Sequence, residues 1–94
     1  MLKVEYLNQF KRDLKLAKKR GKNLGKLQEI MKIIEEEKKL SLHCNDHSLV
    51  GNWKTHRELH IEPDWLLIYK LIPNEKVVIF VRTGTHSDLF NKKK

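Results

Sequence analysis

With only one cysteine, Cys44, the chain has no partner for an internal disulfide. It has no run of about 18 apolar residues, so no helix of it spans a membrane. Its opening, Met1-Leu2-Lys3-Val4-Glu5, lacks the apolar core of a signal peptide. A cytoplasmic location without membrane contact is expected from these absences. A Gly-rich phosphate loop of the usual form and a G-x-S-x-G nucleophile turn are both missing. Acidic residues are scarce: 12 Asp and Glu against 20 Lys and Arg leave a formal net charge of +8. The excess is uneven, with 12 basic and 6 acidic side chains in residues 1–39 and 8 and 6 in residues 40–94. Such a basic surface attracts nucleic acid, anionic membrane or an acidic protein. A basic block on its own is equally a solvated helix face.

The 94 residues are read as one domain, 1–94, large enough for a single modest core. Leu2, Val4 and Tyr6 alternate with Lys3 and Glu5, the period of a strand. Asn8 is expected to cap a helix carrying Phe10, Leu14 and Ala17 on one face, with Gly21 as its left-handed stop. A second amphipathic helix is expected from Leu24 to Lys39. Residues 40–52 have no period. Alternation returns from Trp53 to Ile61, with Glu58 and His60 on the side opposite Leu59 and Ile61. Pro63-Asp64 makes a turn. Trp65 to Ile72 is almost continuously apolar and is therefore expected at the centre of the sheet. Lys76 to Arg82 is the last strand, and Ser87 to Phe90 form a helical turn. The fold class is α+β in the order β-α-α-β-β-β. Two helices should pack on one face of a four-stranded, largely antiparallel sheet, leaving the other face for polar chemistry.

Five histidines invite a metal reading first. His56 and His60 have i, i+4 spacing, but four strand residues span about 13 Å, too far for one ion. His43, Cys44 and His47 share a loop without an evident fourth ligand, so no metal and no cofactor is expected. Phosphoryl chemistry on RNA needs neither. The 2′-hydroxyl is the nucleophile; a base takes its proton, an acid protonates the leaving 5′-oxygen, and cations balance the phosphorane. His60, Asp64 and His86 supply acid–base groups, and Arg82 a fixed charge. Trp65 and Phe90 offer flat faces for unstacked bases.

Three separated blocks carry a resemblance. Asp46-His47-Ser48-Leu49-Val50-Gly51-Asn52-Trp53-Lys54, Arg57 through Lys70 (with His60-Ile61-Glu62-Pro63-Asp64-Trp65 inside it) and Arg82-Thr83-Gly84-Thr85-His86-Ser87-Asp88-Leu89-Phe90 closely resemble YafQ-type toxins of the RelE/ParE superfamily, in the same order. The likeness covers nearly the whole chain. It implies a RelE-like fold and a ribosome-dependent mRNA endonuclease that cuts in the A site and is silenced by a cognate antitoxin. It implies catalytic roles for His47, His60, Asp64 and His86, RNA contacts by Trp65, Arg82 and Phe90, and ribosomal RNA contacts by the basic helices through Lys11, Lys15, Lys18 and Lys19. Ser48 stands where a proline is common, and a lysine tail runs past Phe90; neither removes a catalytic group. The competing class is a binding toxin of the same fold, as in ParE-type chains that act on DNA gyrase without this histidine set. A degenerate toxin kept only as an antitoxin partner is a third.

Overall fold

The computed structural model describes residues 1–90. The lysine tail singled out in the sequence lies outside them. The elements are β1 (Lys3–Tyr6), α1 (Asn8–Lys19), α2 (Leu24–Glu35), β2 (His47–Ser48), β3 (Arg57–Glu62), β4 (Trp65–Ile72), β5 (Val77–Gly84) and α3 (His86–Phe90). The sheet order is β1-β5-β4-β3-β2, with β4 at the centre as expected. Strands β2 to β5 pair antiparallel, through short links. β1 runs parallel to β5, with Lys3 opposite Val77 and Tyr6 opposite Phe80.

The α+β class and the α-α hairpin stand, but the sheet has five strands and is mixed. The extra strand, β2, has two residues, too few for any alternation to show. α1 begins at Asn8, and Leu7 takes the cap position without a side-chain bond. Asn23 is the side chain that caps a helix, its Oδ1 accepting from the Lys26 amide at 3.2 Å. α1 ends where Gly21 turns left-handed (φ 79°), and the Gly21 and Lys22 amides bond back to the Lys18 and Ala17 carbonyls. α2 stops at Glu35, four residues before Lys39. Glu37 takes the left-handed position (φ 59°), and the Glu37 and Lys38 amides close on Ile34 and Ile33.

One sheet face lies under α1 and α2. Phe10, Leu27, Leu59, Trp65, Leu67 and Phe80 are buried there, and full burial of each such side chain is worth about 1.5–3 kcal/mol. The other face is not free for polar chemistry along its whole length. Leu66 and Ile68 point to it from β4, Val81 from β5, and Leu89 of α3 covers them, with Trp53 and Phe90 at the margin. A central strand apolar on both sides needs cover on both. Polar groups occupy the rest of that face, along β2, β3 and the β3–β4 turn.

Candidate active site

β3 sends Leu59 and Ile61 into the helix layer and Glu58 and His60 to the opposite face, as its alternation predicts. The register then shifts: His60 pairs with Leu66, but Glu62 with Trp65, so Ile61 is an extra residue. The bulge bends the hairpin just before Pro63-Asp64. Asp64 therefore stands at the hairpin tip, where α3 begins.

Asp64 Oδ1 accepts twice from His86: from the backbone amide at 3.0 Å and from ring Nδ1 at 2.6 Å. Two such bonds on one oxygen favour the ionised carboxylate. The backbone bond first, then the side-chain bond, hold the Asp64 carboxyl below the ordinary range. Lys22, just past the end of α1, adds positive field from outside. With Nδ1 committed as donor, Nε2 is the nitrogen of His86 left for substrate. Both side chains are more than half exposed.

His60 stands edge-on to His86, ring centroids 5.8 Å apart. Behind it, Glu58 Oε1 lies 4.0 Å from His60 Nε2 and 3.2 Å from His47 Nε2. His47 Nδ1 is 2.7 Å from the Asn45 carbonyl. A carbonyl only accepts, so Nδ1 donates there, and Nε2 is the nitrogen that faces the Glu58 carboxylate. Glu58 is buried. Among the described residues its charged neighbours are these two imidazoles. The four residues expected to be catalytic, His47, His60, Asp64 and His86, thus meet in one line, with Glu58 between His47 and His60. Glu58 was placed on the correct face by alternation but given no role. Its signal was a carboxylate two positions from His60 on that face.

The expected RNA contacts divide. Phe90 is half-buried at the margin of the polar face, its ring edge-on to Trp53 at 5.9 Å, and Trp53 in turn meets His56 at 5.4 Å. Trp53, in the turn after β2, was not singled out. Trp65 is only 1% exposed and belongs to the helix-side core, its indole N–H without a partner. No base can reach its face there. Arg82 is bound by α1: Nε donates to Asp13 Oδ2 at 2.7 Å and Nη2 to Oδ1 at 3.3 Å. Asp13 is buried and also takes the Thr83 amide and Gln9 Nε2. Lys11, Lys15, Lys18 and Lys19 are all exposed along α1.

The remaining metal candidates are dispersed. His43 Nδ1 is 3.2 Å from the Ser41 hydroxyl, His56 packs on Trp53, and Cys44 is buried, which pushes its thiol up. Among the described residues no group of three or more His, Cys, Asp or Glu is arranged to hold a metal ion.

Residues 2–91 match the sequence profile of a family described as "Bacterial toxin of type II toxin-antitoxin system, YafQ". The mRNA interferase toxin YafQ of Escherichia coli K12 is 47% identical over 88 residues, 93% of this chain and 94% of that protein. The fold is similar to YafQ in the crystal structure of the E. coli DinJ-YafQ toxin-antitoxin complex (TM-score 0.86, 44% identity, 96% of this chain and 98% of that one). It is also similar to a metal-bound toxin from Helicobacter pylori (TM-score 0.90, 38% identity, 96% and 100%).

Proposed function

The chain belongs to the YafQ family of bacterial type II toxins, and from that premise we propose that it is an endoribonuclease that cuts mRNA in the ribosomal A site. What carries the reading is the single line of groups from Asp64 through His86, His60 and Glu58 to His47. Two imidazoles at this spacing reach one phosphodiester from different sides. His60 takes the 2′-hydroxyl proton, and the oxygen attacks phosphorus. His86 Nε2 gives a proton to the 5′-oxygen as the P–O5′ bond breaks, leaving a 2′,3′-cyclic phosphate. Asp64 orients His86 and favours the imidazolium, with hydrogens on both ring nitrogens, that this step requires, the part a carboxylate plays beside a catalytic imidazole. Glu58, between His47 and His60, orients both rings toward the phosphate.

Phe90 and Trp53 receive bases on the aromatic margin. Trp65 supports the Asp64 turn from the core. Arg82, paired with Asp13 of α1, braces β5 behind the site. Lys11, Lys15, Lys18 and Lys19 hold ribosomal RNA phosphates, and the ribosome supplies the positioning that so small a site lacks. The whole chain works as one domain in the cytoplasm, where a cognate antitoxin silences it.

The test is 5′-end mapping on ribosomes programmed with a defined mRNA, using toxin stripped of transition metals. New ends within the A-site codon are expected, absent without ribosomes and absent with His86→Ala. Translation arrest without new ends, or full cutting by His86→Ala, overturns the reading.

A further inference from the structure

α3 has five residues, well below the roughly 12–15 at which an isolated helix holds in water. Its place is set by ties at its first turn. Thr85 Oγ1 accepts the Asp88 amide at 3.1 Å, and Asp88 Oδ2 accepts the Thr85 amide at 2.9 Å, a reciprocal cap. The same carboxylate is gripped from another element. Arg20, at the end of α1, donates Nη1 to Asp88 Oδ2 at 2.7 Å and Nη2 to Oδ1 at 3.3 Å. This fork-to-fork pairing fixes direction as well as distance. Gly84 makes room for it: a Cβ there would stand 3.0 Å from both Cβ and Oδ2 of Asp88. His86 lies within this turn, two residues before Asp88. Its imidazole is therefore located from two sides, by Asp64 on the hairpin and by Arg20 through Asp88.

We propose that Arg20 and Asp88 are positioning residues for His86, the clasp between α1 and α3 fixing where the Nε2 of the acid points. The proposal rests on the nuclease reading for its kinetic consequence, not for its geometry. Arg20 sits among Lys18, Lys19 and Lys22 and looks like one more phosphate contact. Its guanidinium is instead spent inside the molecule. Loosening the clasp lets α3 sample placements in which His86 misses the leaving oxygen. That lowers kcat and leaves the binding of RNA and ribosome unchanged.

The experiment pairs amide hydrogen exchange on the free protein with single-turnover cleavage on programmed ribosomes, for Arg20→Ala, Arg20→Lys and Asp88→Asn. Arg20 and Asp88 are surface side chains, so the β4 amides serve as the control for an intact fold. In Arg20→Ala and Asp88→Asn the His86 and Leu89 amides are expected to exchange about tenfold faster, with β4 unchanged, and kcat to fall about tenfold at constant KM. Arg20→Lys should recover part of both. Parental exchange and kcat in Arg20→Ala overturn the proposal. So does a raised KM at parental kcat, which makes Arg20 an RNA contact. Exchange responding as expected in a parent that cuts no mRNA sinks the nuclease reading and leaves the clasp standing as the anchor of His86.

Discussion

Glu58 Oε1 lies 3.2 Å from His47 Nε2 and 4.0 Å from His60 Nε2, so one buried carboxylate serves imidazoles on two neighbouring strands. Glu58→Gln preserves the shape but removes the negative charge that faces both rings. Single-turnover cleavage should slow about 10- to 100-fold, with KM changed less than about twofold. A parental rate would remove Glu58 from the chemistry.

The two tryptophans should separate cleanly. Trp65→Ala empties a core position and is expected to cost about 3–5 kcal/mol in urea unfolding. Trp53→Ala, at the half-exposed aromatic margin, should barely move the unfolding midpoint. It should weaken single-stranded RNA binding by about 1–3 kcal/mol, the worth of one stacked base. The opposite pattern would return the stacking role to Trp65.

Arg82 answers to Asp13 before it answers to RNA. Arg82→Ala leaves a buried carboxylate with its main cation gone, and a stability loss of about 3 kcal/mol is expected. Asp13→Asn together with Arg82→Gln should recover part of that loss without recovering cleavage. If Arg82→Ala is as stable as the parent by urea titration, the pair is not a structural tie.

Acid should release α3 before it unfolds the core. The Arg20 hydrogen bond holds the Asp88 carboxyl to about 2, against an ordinary 3.8. The Asp64 carboxyl is likewise lowered by His86. A folded-state value below the unfolded one means the stabilisation is complete above about pH 4 and is lost as the pH falls toward 2. For Asp88, discounted for solvent screening, the loss is about 1 kcal/mol. Urea midpoints measured from pH 5 to pH 2 should fall less steeply in Asp88→Asn. An identical slope in parent and variant would contradict this.

Where a pattern repeats, the sequence was readable. The apolar run of β4 marked the centre of the sheet, β3 alternation put His60 on the right face, and Pro63-Asp64 marked the hairpin tip. From the three motif blocks, His47, His60, Asp64 and His86 come together, while Trp65 lies in the core and Arg82 is bound by Asp13. What stayed hidden has physical reasons. Two residues are too few to show a period, so the sequence carries no sign of β2. Alternation is silent in a strand apolar on both sides, so it did not say that Trp65 faces the core. A left-handed Glu37 ends α2 without the glycine that usually signals it. The Asp13–Arg82 and Arg20–Asp88 pairs join residues 69 and 68 positions apart, and no spacing rule reaches that far.

Among the described residues β5, to which β1 runs parallel, is the one strand β1 pairs with. The first strand synthesised therefore waits for the last strand of the sheet before it has a neighbour. α3, which carries His86, is made later still. Neither the β1–β5 edge of the sheet nor the His86–Asp64 pair can therefore form until the segment from β5 onward has been made.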